Sequence, residues 1–68
     1  MITKAQAMIL KHGDIIILTD DSRWKINGKI KIWKSKTRSH EFKIPVKHGL
    51  YSFGYLTHDN AHLFELGD

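Results

Sequence analysis

The sequence predicts a small, mainly β barrel in a single domain over residues 1–68. Three observations lead there. Short runs rich in Ile, Val, Phe, Tyr and Trp recur along the chain, clusters of Gly, Asn, Asp and Ser separate them, and only the first dozen residues carry helical spacing. At 68 residues the chain lies near the lower limit for a self-sufficient core, and without Cys no disulfide or thiolate-held metal can staple it. The 41% hydrophobic share is that of a globular chain, and no apolar run approaches the roughly 20 residues that span a bilayer.

The first element is a helix over 4–11. Thr3-Lys4-Ala5-Gln6 fits a capping box, Ala5, Met8 and Ile9 follow at helical spacing, and Gly13 offers a stop. Asp14 to Thr19 then holds Ile15, Ile16, Ile17 and Leu18 in a row, ended by the turn-forming Asp20-Asp21-Ser22. This strand is expected to be buried on both faces, one toward the barrel interior and the other partly covered by the helix.

Residues 24–34, WKINGKIKIWK, read as a hairpin between strands 23–26 and 29–34. A two-residue Asn27-Gly28 turn pairs Ile26 with Lys29, mixing apolar and charged faces. A three-residue loop Ile26-Asn27-Gly28, with Gly28 in the left-handed region, instead pairs Lys25 with Lys29, Trp24 with Ile30 and Arg23 with Lys31. The alternative loop Asn27-Gly28-Lys29 also keeps the faces pure, but it places a residue with a Cβ in the left-handed region at a cost of about 1 kcal/mol or more. The bulged turn is preferred. It sends Trp24, Ile30 and Ile32 to the core, leaves Ile26 partly buried in the turn, and carries Trp33 outward with the lysines.

Residues 35–40, SKTRSH, have no apolar member and read as a basic loop. Strand 41–46 alternates, with Phe42, Ile44 and Val46 inward and Lys43 outward. Pro45 removes a ladder donor and points to an edge strand or a bulge, an edge open to a sheet-paired dimer. After a turn at Lys47-His48-Gly49, strand 50–57 is apolar on both parities and is expected to be central. Its Tyr51-x-Phe53-x-Tyr55 spacing is that of base-stacking aromatics on a sheet, but the basic residue and Gly that should precede them are missing, so these rings are expected in the core. A one-turn 3₁₀ connection over Asp59 to Ala61 leads to a last strand at 62–66.

Charge narrows the function. The net +4 is distributed unevenly: residues 23–48 hold nine Lys and Arg against Glu41 alone, a local +8, while both flanking segments are acidic. The candidate binding residues are Arg23, Lys25, Lys29, Lys31, Trp33, Lys34, Lys36 and Arg38, cations to hold phosphates and a ring on which a base can stack. Lysine-rich edges also serve simply to discourage aggregation. Two partner classes fit, nucleic acid or an acidic protein surface. His58 and His62, at i, i+4 spacing with Asp59 and Glu65 nearby, form a weaker metal-binding alternative. No nucleophile elbow, phosphate loop or paired catalytic acids are present, so neither an enzyme nor a cofactor is expected. The N-terminus lacks the pattern of a secretory signal, and a cytoplasmic location is expected.

The order of first strand, hairpin, returning strands and a 3₁₀ turn before a short last strand resembles the SH3-like barrel, which implies five to six short antiparallel strands. An OB-like barrel is the alternative. Gly13-Asp14-Ile15-Ile16 resembles the opening of small nucleic-acid-associated members of the SH3-like class. The stretch from Asn27-Gly28-Lys29 to Pro45-Val46-Lys47-His48-Gly49-Leu50-Tyr51 resembles small uncharacterised bacteriophage proteins, which implies a mobile-element origin.

Overall fold

Thr3 starts the helix as the capping box requires. Its hydroxyl oxygen accepts the Gln6 amide, and the Gln6 side-chain oxygen accepts the Thr3 amide, satisfying two donors that a helix start would leave unpaired. In the computed structural model, which describes residues 1–33 and 35–67, helix α1 is Lys4–Ile9, two residues shorter than expected. Its buried side is not the expected one. Ile2 is buried and its amide donates to the Ala61 carbonyl at 3.0 Å, and this anchor turns Ala7 and Leu10 inward while Met8 and Ile9 stay exposed.

Six strands follow, all paired antiparallel in one sheet that curls into a half-barrel: β1 (Ile15–Leu18), β2 (Arg23–Ile26), β3 (Lys31–Ile32), β4 (Phe42–His48), β5 (Ser52–Thr57) and β6 (Phe64–Leu66). One-turn 3₁₀ segments lie at Lys36–Arg38 and Ala61–Leu63, the second immediately before the last strand. Strand β1 pairs with β2 and β6, while β4 pairs with β2, β3 and β5. The concave side holds the core, with Ile16, Ile26, Ile44 and Leu56 fully buried at its centre. Among the described residues no helix is long and apolar enough to cross a membrane.

The hairpin expected in WKINGKIKIWK does not form. Strands β2 and β3 do not pair with each other; they lie end to end along one edge of β4, with Ile26 opposite Val46 and Lys31 opposite Lys43. Four residues, Asn27 to Ile30, therefore oppose only Ile44 and Pro45, and the segment is one strand interrupted by a two-residue bulge. The cause lies across the sheet. The Pro45 carbonyl accepts the Asn27 amide at 2.8 Å, so the Pro45 nitrogen also points toward this lane, where it has no proton to donate. The ladder breaks opposite the missing donor.

Gly28 is required there for a different reason from the expected left-handed conformation. Positive φ among the described glycines belongs to Gly13 and Gly49, not Gly28. A Cβ on Gly28 would stand 2.5 Å from Pro45 Cγ, so the bulge packs its backbone directly on the proline ring. Ile26, freed from a turn, is fully buried in the core. Ile32 is instead exposed at the end of the short β3, while Trp24 and Ile30 pack against the core from partly buried positions.

The expected places of the next two strands are exchanged. Strand β4 is not an open edge; it is paired on both sides. Strand β5 is not central; its described strand partner is β4, and its other edge meets Asn60, whose side chain accepts the Thr57 amide and donates to the Tyr55 carbonyl and whose backbone amide donates to the Thr57 carbonyl. The β4–β5 turn is Gly49 to Tyr51, with His48 opposite Ser52, two residues later than expected. Gly49 takes φ 71°, a conformation that favours glycine.

Candidate nucleic-acid interface

Alternation places one set of side chains on the outer face of the curled sheet. Across one rung stand Phe53, Lys47, Lys25 and Ile15, and across another Thr57, Lys43 and Lys31. Between them Tyr55 faces Pro45. The lysines are directly opposed, as anticipated, but as Lys25–Lys47 and Lys31–Lys43 rather than as Lys25–Lys29 and Arg23–Lys31. The two lysine pairs are four β4 residues apart, about 13 Å at the rise of an extended strand. Gly28, with no side chain, and the Pro45 ring form a low saddle between them.

Each opposed pair costs some tenths of a kcal/mol in repulsion. Among the described residues none of these four lysines makes an ion pair with a carboxylate; the pairs that do form join Glu65 to the N-terminus, Arg38 to Glu41, and His58 to Glu41 and Asp59. Beside the first lysine pair, Arg23, Lys25 and Lys47 line one open depression of about 300 Å³ whose remaining walls are Ile15, Gly49 and Leu50. Three cations around one concavity favour an anion there.

The other expected site residues fall in two places. Lys29 is exposed in the bulge, and Lys36 is exposed in the first 3₁₀ turn. Trp33, one residue beyond β3, is half-buried, with Lys31 Nζ 5.6 Å and Arg38 Cζ 4.6 Å from its ring centre. Arg38 is also held by Glu41 through two hydrogen bonds of 2.6 and 3.0 Å, which keep the Glu41 carboxyl below its usual pKa and raise that of the guanidinium. Lys34 lies outside the described residues.

The aromatic residues of β5 and of the turn before it are the main correction. Tyr51, Phe53 and Tyr55 are 90%, 66% and 52% exposed, not core. The opposite parity supplies the core instead: Leu56 is buried opposite Ile44, and Gly54 faces Trp24 beside Val46. Lys43 Nζ stands 4.1 Å from the centre of the Tyr55 ring. Because the Pro45 carbonyl points away from β5, the Lys47–Phe53, Pro45–Tyr55 and Lys43–Thr57 pairs are the narrow, non-hydrogen-bonded kind in which side chains approach most closely. A signal for this was present in the sequence. Parity applied to a three-residue Gly49-Leu50-Tyr51 turn puts Phe53 opposite Lys47, on the outward side that Lys43 already marks.

The histidines gather elsewhere. His40, His58 and His62 line a groove of about 430 Å³ beside the N-terminus, His40 and His58 pack edge-to-face at 5.3 Å, and His58 Nε2 lies 3.4 Å from Asp59. Among the described residues no three His, Asp or Glu side chains come together as a metal site would require.

Set beside known protein families, curated proteins and solved structures, the chain matches none of them.

Proposed function

We propose that this protein binds nucleic acid through the outer face of its sheet. The observation that carries the reading is the Arg23, Lys25 and Lys47 depression, with the Lys31–Lys43 pair beyond the Gly28–Pro45 saddle. No carboxylate side chain shares the outward positions of β2 to β5 among the described residues. Lysines forced into opposition repel in the free protein, and a phosphate beside each pair converts that repulsion into attraction. Next to Lys31, the Trp33 ring also carries the Arg38 guanidinium, and a second contact can form there. A cytoplasmic setting and the SH3-like and bacteriophage resemblances accord with such a module.

The test is fluorescence anisotropy with labelled oligonucleotides over a salt series. Log affinity falls linearly with log salt, and Lys25→Gln and Lys47→Gln each flatten the slope by about one unit. Failure to bind any oligonucleotide at low salt refutes the reading and leaves an acidic protein surface as the partner class.

A further inference from the structure

We infer that the strand this face accepts is unpaired, with a base stacked on Phe53. The inference rests on the phosphate-binding reading above and extends it to the kind of nucleic acid. Phe53 is exposed on the same rung as Lys47 and Lys25, and its pairing with Lys47 is of the close type, so the ring stands beside the cations that line the depression. A phosphate in that depression brings its own or the next nucleoside over Phe53.

A duplex uses the ring poorly. Its bases are already stacked on one another, so Phe53 meets a base face there only by prising a base step apart against its stacking energy, and otherwise meets backbone and groove edges. An unpaired base offers a free π-face, and stacking of this kind tolerates any base because every base has one. The aromatic residues of the face are not equivalent. Tyr55 carries the Lys43 ammonium on its ring, and Trp33 is half-buried beneath Lys31 and Arg38. Phe53 has no cation over it among the described residues, so a base can stack on it without displacing one. Tyr51, at the turn beside it and almost fully exposed, is placed to meet a neighbouring base.

The experiment compares a labelled 12-nucleotide single strand with the same sequence in duplex form, using the full chain. The single strand binds at least tenfold more tightly. Phe53→Leu weakens single-strand binding on the order of tenfold, the loss of one stacked base, and leaves duplex affinity and the salt slope unchanged. Tyr55→Leu weakens it less. Because Phe53 is exposed, circular dichroism and the thermal midpoint of Phe53→Leu match the parent, which separates lost stacking from lost folding. Equal binding of both forms, or a Phe53→Leu protein with unchanged single-strand affinity, overturns the inference. If Lys25→Gln still weakens binding in that case, the phosphate-binding reading survives. If neither oligonucleotide binds, both readings fall together.

Discussion

Replacing Gly28 by Ala puts a methyl group 2.5 Å from Pro45 Cγ, a separation that real Cβ contacts do not tolerate. The proline ring is fixed in β4, between β5 and the bulge, so it cannot swing aside as a flexible side chain would. Overpacking of this kind costs about 1–3 kcal/mol. Against a total stability of about 3–10 kcal/mol for a chain of this length, that is a large fraction. It corresponds to a fall in Tm of roughly 4–8 °C for each kcal/mol. The decisive measurement is a double-mutant cycle by thermal and urea denaturation with Gly28→Ala, Pro45→Ala and the pair. Pro45→Ala removes the clashing Cγ and keeps a Cβ at 3.7 Å from the new methyl, an ordinary contact, so the pair loses less than the sum of the single variants by at least 1 kcal/mol. In a hairpin with Gly28 left-handed, Gly28→Ala is penalised by backbone strain that Pro45→Ala does not relieve. Additive effects would therefore refute the bulge-on-proline account.

Other outcomes follow from the same geometry. Ile26→Ala, fully buried beside Val46, costs about 2–5 kcal/mol by loss of burial and a residual cavity, and denaturation melts read this directly; a cost below 1 kcal/mol would return Ile26 to a turn. Lys25→Gln relieves its opposition to Lys47, so the variant that weakens oligonucleotide binding melts at a slightly higher temperature than the parent at low salt, and the gain shrinks as salt is added. The Arg38 hydrogen bonds hold the folded-state pKa of Glu41 below its unfolded value near 4.5, so their stabilisation is complete above that pH and is lost as pH falls through the folded value. Arg38→Gln accordingly flattens the acid side of a stability-against-pH curve and leaves its shape near neutrality unchanged.

The legible parts of the fold were those decided within a few residues. The Thr3–Gln6 capping box, the Ile15–Leu18 run and the inward parity of Phe42, Ile44 and Val46 rest on local geometry and are found, as is the 3₁₀ turn before the last strand, though at Ala61–Leu63, two residues later than expected, with the strand correspondingly starting at Phe64. The basic face was legible for the same reason: lysines alternating with apolar residues must point away from them. The candidate site was only half visible. Its cations were named from the 23–38 span, but Lys43 and Lys47 came from the neighbouring strand, and the rings of β5 were assigned to the core because two apolar parities compete there and nothing local says which one wins.

Asn27-Gly28 shows where local information stops. The same dipeptide between two apolar runs suits a hairpin turn or a bulge in a continuous strand, and the choice depends on Pro45, far along the chain, whose missing N–H must face some neighbour. Residue types and parity alone determined a mainly β chain with a strongly basic outer face. Tertiary pairing decided which strands are neighbours, because register is a relation between two segments and neither encodes it alone. That pairing set Lys25 against Lys47, Lys31 against Lys43 and Phe53 beside them.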